Sequence, residues 1–466
     1  MKNKFKMLAI ATALLFAAYN GKAQEGAITP EVLSDIKQSV WDEPDDRALI
    51  NAVSNNDIRK LALNRENVGK INHYFSHKVE TTGITDQKST GRCWLFTGLN
   101  ILKPIVIEKL NTKEFEFSQN YNFFWDQLEK SNLFLEAIIS TTDKPEDDRT
   151  VDWLFKHPIQ DGGQWTTFAD VVKKYGLVPK SAMPETHQSE NTRSVRSLIA
   201  KKLRGNAIEL RQMFSEGKTK VELREEKITM LSDIYRILVL SFGQPPQEFE
   251  WQYKTTDGNI TEMKTYTPLE FYNEYVGIDL DEYVMFMNDP SREYGKLYEI
   301  EYDRSMVEGY NWNYINLKNE KIKAFAKTSI LDKQAMYFSC DVGKQLNRDE
   351  GTLDVNNYAF NDLMGVNFDM NKANRIKTYQ SASTHGMALI GLNIDQKGAI
   401  DKWLLENSWG VKSGNKGYLT MTDEWFDEYM FRVVINKKYV DEETLKILEQ
   451  EPIKLPPWDP MFAPEE

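Results

Sequence analysis

Cysteine is scarce in this sequence: Cys93 and Cys340 are the only two in 466 residues. A chain of that length with two thiols is not a disulfide scaffold, even outside the cytoplasm. One bridge between them is all that could form, and Cys340, in the apolar run Met336-Tyr-Phe-Ser-Cys340, reads as a buried thiol instead. Histidine is scarce too, five in all. These few offer no ligand cluster, so no metal and no cofactor is expected. Basic charge is outweighed: the formal net charge is −12. A nucleic-acid partner would want a basic footprint, which this balance does not supply. Long apolar runs are also missing. The run Met7–Ala18 follows Lys2, Lys4 and Lys6 and is too short to span a bilayer. With Gly21-Lys22-Ala23 behind it, residues 1–23 read as a signal peptide, which predicts export, a mature start near Gln24 and no stable membrane anchor afterwards. No cysteine lies near that site, so lipid attachment there is excluded. Internal repeats and low-complexity tracts are absent.

What is present is core-forming material: aromatics make up 12% of residues, with 11 Trp. The length exceeds one ordinary core and predicts two or three packed subdomains. Residues 24–78 form an N-terminal segment without obvious chemistry. A helical catalytic subdomain follows over 79–190. Its helix is expected to start at Gly91, capped by Ser89, Thr90 or Gly91, and to kink or end at Pro104. Residues 191–324 read as a helical insertion. Within it, 191–227 holds ten basic and five acidic side chains, the pattern of a solvated helix face. From about 325 to 450 short apolar strands alternate with turns, a β subdomain. The tail 451–466 holds Pro456, Pro457, Pro460 and Pro464, so it is extended; Trp458, Met461 and Phe462 would anchor it as a docked arm.

The informative segment is Asp86-Gln87-Lys-Ser-Thr-Gly91-Arg-Cys93-Trp94. A cysteine at a helix N-terminus meets the positive end of the dipole, which favours thiolate, the nucleophilic form. Gln87, six residues earlier, can offer an amide N–H beside the Cys93 backbone N–H to an oxyanion. Taken alone, Cys93 reads better as a buried structural thiol. The base must come from five histidines. His73, His77, His157 and His187 stand in polar or loop-like surroundings, whereas His385 opens the strand Gly386-Met-Ala-Leu-Ile-Gly391. The next strand ends Trp403-Leu-Leu-Glu-Asn407-Ser-Trp409-Gly410. A hairpin centred on residue 396 would set His385 opposite Asn407, within side-chain reach. Asn407 could then fix the imidazole tautomer, and Trp409 could cover that hydrogen bond.

With these pieces together, Gln-x5-Cys-Trp, Thr-His-Gly and Asn-Ser-Trp-Gly resemble the papain superfamily. The resemblance is closer to the branch of bleomycin hydrolase and bacterial aminopeptidase C, through Phe115-Glu-Phe-Ser-Gln119, Phe123-Phe-Trp-Asp126, Asp161-Gly-Gly-Gln-Trp165, Cys340-Asp-Val-Gly-Lys344, Gly417-Tyr-Leu-Thr-Met-Thr-Asp-Glu-Trp425 and Leu455-Pro-Pro-Trp-Asp-Pro-Met461. It runs from about residue 80 onward. It implies an α+β, papain-like fold of two subdomains, one helical and one antiparallel β, with a large helical insertion. It also implies nucleophile Cys93, base His385, orienter Asn407, oxyanion donor Gln87, and a cleft lined by Gly162 and Gly163. Peptides are the implied substrates, and a homo-oligomer, hexameric in related enzymes, the implied assembly. Position 90 is Thr where papains carry a disulfide cysteine. Cys93 and His385 are 292 residues apart, against roughly 130–150 in papain-like enzymes. Most of that branch is cytosolic, so the resemblance and the signal peptide point to different compartments.

The expected reaction is acyl transfer to water through an acyl-enzyme on Cys93. An arm in the cleft would make the enzyme an aminopeptidase, with the carboxylate of Glu466 meeting the substrate's free ammonium. Two unit charges 4 Å apart gain about 4 kcal/mol at an effective dielectric of 20, before desolvation. The rivals are a papain-like endopeptidase, a transamidase using the same pair, and a non-catalytic peptide-binding protein on the same fold.

Overall fold

A computed structural model of the chain describes residues 25–38 and 44–461. The chain divides into two compact units between Leu63 and Asn64. Among the described residues the first holds three short helices, Pro30–Gln38, Pro44–Asn55 and Ile58–Ala62. The second carries all the chemistry. Five of its longer helices come first, α1 (Cys93–Leu110), α2 (Gln119–Ser140), α3 (Trp165–Tyr175), α4 (Arg193–Ser215) and α5 (Lys220–Phe242), while another, Asn319–Leu331, and several short ones lie among the strands. Helix α1 is apolar nearly all round because it is buried nearly all round, from Trp94 to Leu110. Gly98 lets α3 come close: a Cβ there would sit 2.5 Å from the Phe168 ring. Pro104 does not end α1, which continues to Leu110 and stops at Asn111 in the left-handed conformation. The basic residues of α4 and α5 are largely partnered. Arg224 and Lys227 share Glu136, Lys202 meets Asp233, and Arg211 donates to two carbonyls that follow α2.

The strands are β1 (Tyr283–Met287), β2 (Lys296–Ile300), β3 (Asn313–Asn316), β4 (Met336–Cys340), β5 (His385–Ile394), β6 (Ile400–Glu406), β7 (Tyr418–Thr422), β8 (Met430–Asn436) and β9 (Ile453–Leu455). They form one mixed sheet in the order β9-β2-β3-β1-β8-β4-β5-β6-β7, extended by Thr352–Leu353 and Leu346–Asn347. Most central pairings are antiparallel. Helices followed by this sheet make the fold α+β, as expected. The helical insertion read over 191–324 is helical through Phe242 and again, briefly, at Pro268–Tyr275; from Tyr283 its residues enter the main sheet as β1, β2 and β3. The reason is non-local: β1 pairs with β8, almost 150 positions later, and local apolar pattern does not record that partner.

Helix α1 packs against β5. The contact is tight at Gly386, whose Cβ position would be 3.1 Å from Thr97 Oγ1. One helical turn before Thr97 is Cys93, and one residue before Gly386 is His385. A buried ion pair fastens the same junction, with Lys103 Nζ 3.0 Å from Glu406 Oε1.

Candidate active site

The expected helix start at Gly91 is two residues early. Helix α1 begins at Cys93, and the cap position holds Arg92, which offers no side-chain acceptor. No capping oxygen therefore competes for the positive end of the dipole, and it is presented at Cys93. Cys93 is half-buried and Cys340 fully buried, with no disulfide between them. Both burial and the neighbouring Asp341 push the Cys340 thiol well above its ordinary range.

His385 is buried, and its Nε2 lies 2.8 Å from Asn407 Oδ1. The backbone N–H of Ser408 donates to that same oxygen at 2.8 Å. A backbone N–H can only donate, so the Asn407 atom facing His385 is the oxygen. His385 Nε2 must then carry the hydrogen, which leaves Nδ1 as the acceptor. Turning the amide would give Asn407 Nδ2, which is buried without a partner, the imidazole to bond, but would set Ser408 N–H against a donor. Burial pushes His385 down to about 4; the Asn407 hydrogen bond opposes this and Arg348 adds to it. The ring is therefore neutral at pH 7 and able to take a proton. Trp409 stacks on it, ring centroids 4.7 Å apart, and the Arg348 guanidinium lies over the Trp409 ring at 4.7 Å.

The expected hairpin register is off by two residues. Ala388 pairs with Glu406 and Leu389 with Leu405, and register shifts interrupt the ladder at Leu389/Gly391 and Asn393/Ile394. Asn407 reaches His385 as a diagonal neighbour, not a directly opposed one. An even shift keeps both side chains on one face of the sheet, whereas an odd one would have separated them.

Gln87 is held at both ends of its amide. Its Oε1 accepts from Ser408 Oγ at 2.7 Å, and its Nε2 donates to Thr90 O at 2.8 Å, leaving one amide hydrogen over. Backbone bonds repeat the connection: Gln87 N donates to Ser408 O at 2.8 Å and Gly410 N to Thr85 O at 3.0 Å. The loop before Cys93 is thus paired with the loop carrying Asn407.

A cavity of about 540 Å³ is lined by Cys93, His385, Gly162, Gly163, Tyr337 and Met461, among others. Gln87, Asn407 and Trp409 are not among its lining residues. The two glycines differ. A Cβ on Gly163 would lie 2.9 Å from the Trp94 ring, while on Gly162 it would meet only Gln160 Oε1 at 3.9 Å. Gly163 is thus required by packing. The carbonyl of Gly162 accepts from Lys130 Nζ at 2.5 Å. His157, read as a surface residue, lines the same cavity.

The tail is a docked arm as far as Met461. β9 pairs with β2, the Arg149 guanidinium lies 4.2 Å over the Trp458 ring, and Asp459 pairs with Arg292. Met461 is 1% exposed and faces the cavity. Glu466, the expected ammonium partner, and Phe462, the third expected anchor, lie outside the described residues, as does the expected signal peptide over 1–23. Sequence reasoning missed Ser408, Lys130 and Arg432. Ser408 stands beside Asn407 in the motif, and Arg432 interrupts the apolar run Phe431–Ile435, which was the available signal. Among the described residues no group of His, Cys, Asp and Glu is gathered as a metal site requires.

Comparison with known proteins agrees with this architecture. The Peptidase C1-like family matches residues 27–462. Rat bleomycin hydrolase is 40% identical over 447 residues, covering 94% of this chain and 98% of its own. Aminopeptidase C of Listeria monocytogenes is 38% identical, covering 93% and 98%. The crystal structure of PepW from Lactobacillus rhamnosis superposes with a TM-score of 0.91 at 37% identity, over 94% of this chain and 100% of that one. The chain belongs to the Peptidase C1-like family.

Proposed function

We infer that the chain is a cysteine aminopeptidase, in which Cys93 is the nucleophile, His385 the base and Asn407 the group that orients it. The observation that carries this reading is that one cavity is lined by Cys93, His385 and Met461 of the docked arm. In the first step His385 Nδ1 takes the Cys93 proton and the thiolate adds to the peptide carbonyl. The oxyanion is met by the Cys93 backbone N–H and the remaining Gln87 amide hydrogen. The imidazolium then gives its proton to the leaving amine, and water, deprotonated by the same nitrogen, releases the acyl group. Peptide substrates fit this chemistry. All the named groups lie on one chain, so the homo-oligomer implied by resemblance is not needed for it.

In this reading residues 79–190 and 325–450 supply the two walls and 451–466 the arm. The arm enters beside Met461 and obstructs the non-leaving side of the cleft, so that a substrate fits only by its free N-terminus. Deleting residues 463–466 is expected to shift the ratio of free-amine to N-blocked peptide hydrolysis about tenfold towards the blocked substrates, the equivalent of about 1.4 kcal/mol. Paired kcat/KM measurements read this ratio. An unchanged ratio would return the enzyme to the endopeptidases.

Among the described residues no helix is long and apolar enough to cross a membrane. We place the protein outside the cytoplasm on the strength of its lysine-led apolar start. Protein taken from its native host should begin near Gln24 by intact mass and N-terminal peptide mapping. A chain still beginning at Met1 and recovered from the cytoplasm would refute export.

A further inference from the structure

The floor of the cleft holds a cation that the proposed reaction does not use. Arg432 lies in the interior of β8, between β1 and β4, opposite Met287 on one side and Ser339 on the other. It is 8% exposed and lines the same cavity as Cys93 and His385. Its guanidinium lies over the Trp312 ring, 3.9 Å from the centroid. Among the described residues it donates no hydrogen bond and forms no ion pair, and its Nε is buried without a partner. Next to it, Ser339 Oγ is also buried and unpartnered. Ser339 faces Gly386 on β5, so Arg432, Ser339 and Gly386 form one row across three neighbouring strands. All three residues line the cavity beside His385.

A guanidinium removed from water without a counter-charge is costly, and the ring beneath it offsets only part of that. Asp303 lines the same cavity and, like Cys93, is within electrostatic reach, but neither forms an ion pair or hydrogen bond with the guanidinium; burial raises the Asp303 carboxyl above the usual range. The fork of donors on Arg432 and the hydroxyl of Ser339 match the two oxygens of one carboxylate.

We propose that Arg432 and Ser339 form a carboxylate-binding subsite in the cleft of this aminopeptidase, filled by an acidic side chain. The proposal rests on the peptidase reading of the cavity and adds to it a charge preference. The carboxylate has two sources. One is an aspartyl or glutamyl residue of the substrate. The other is the arm itself, whose sequence continues past Met461 to Glu465 and Glu466. Five residues reach up to about 17 Å when extended, enough to cross such a cavity.

The test uses the full-length enzyme, Arg432→Gln, the double variant Glu465→Gln/Glu466→Gln, and the triple combination. Two ratios of kcat/KM are read on each: glutamyl over glutaminyl aminocoumarin amides, and free-amine over N-acetylated leucyl peptides. If substrate supplies the carboxylate, Arg432→Gln lowers the first ratio about ten- to hundredfold, and the glutamate variants do not. If the arm supplies it, Arg432→Gln and the double variant change the second ratio by the same factor, and the triple variant adds nothing further. Either result supports the subsite. Both ratios within about twofold of wild type in Arg432→Gln, with its thermal unfolding intact, overturn it. Should Arg432→Gln fail to fold, Ser339→Ala takes its place: a fall in either ratio supports the subsite, and two unchanged ratios overturn it. Loss of all free-amine preference in the wild-type enzyme would instead refute the aminopeptidase reading, independently of Arg432.

Discussion

Cys93→Ala is expected to abolish peptide hydrolysis, with kcat falling about 10⁴- to 10⁶-fold, and to end covalent labelling by a thiol-directed epoxide. The chain should remain folded, since Cys93 is only half-buried and the change removes one sulfur from a cavity wall. The contrast with Cys340 makes the experiment decisive. Cys340 is opposite His385 in the sheet, the nearest thiol that could substitute. Yet it is fully buried, and its proton is held well above the ordinary range, first by burial and then by Asp341. A thiol of that kind is neither accessible nor ionised. Cys340→Ala should therefore leave labelling in place. Epoxide found on Cys340 in the Cys93→Ala protein, or hydrolysis persisting there, would refute the assignment of the nucleophile. Circular dichroism and the thermal transition of both variants check that the fold has survived.

Gln87→Ala should lower kcat about 10²–10³-fold, or roughly 3–4 kcal/mol, as loss of one oxyanion donor does. The geometry allows a second explanation, because Gln87 also joins Thr90 O to Ser408 Oγ and so reaches the loop of Asn407. Each of those bonds is worth about 0.5–1.5 kcal/mol. Ser408→Ala separates the two roles. It cuts the link from Ser408 but leaves the Gln87 amide in place, so its effect on kcat should be about tenfold or less. Equal losses in the two variants would make Gln87 a positioning residue. A change confined to KM would make it a substrate contact instead.

The chemistry was more legible in the sequence than the geometry that delivers it. Gln87, Cys93, His385 and Asn407 stand in short local patterns, and local patterns survive reading in one dimension. The β5–β6 register did not, because it is set from outside the hairpin. At Gly391, beside one register shift, a Cβ would come within 2.9 Å of His77 O, on the two-residue strand His77–Lys78 that pairs with β5 from more than 300 residues earlier. No hairpin rule contains that neighbour. The start of α1 was misread for a related reason: Ser89, Thr90 and Gly91 are good caps, but Thr90 commits its hydroxyl to Gln87 O and Gly91 is pressed against Asp161. Arg432 illustrates the converse. An arginine within an apolar strand is visible in the sequence, but that it lines the cleft without a partner depends on the register of three strands.

The backbone pairing of Gln87 with Ser408, and of Gly410 with Thr85, has a consequence for how the enzyme meets its substrate. These segments are joined by backbone amides, and they tie the loop that leads to Cys93 to the loop that carries Asn407. The cleft is therefore riveted on its floor, not hinged. The distance between sulfur and imidazole is settled when the chain folds, and the loss of freedom that this ordering requires is not incurred again at each turnover. Discrimination then falls to what already occupies the trough and to the charges along it, so a substrate is accepted or refused by fit to a fixed gauge.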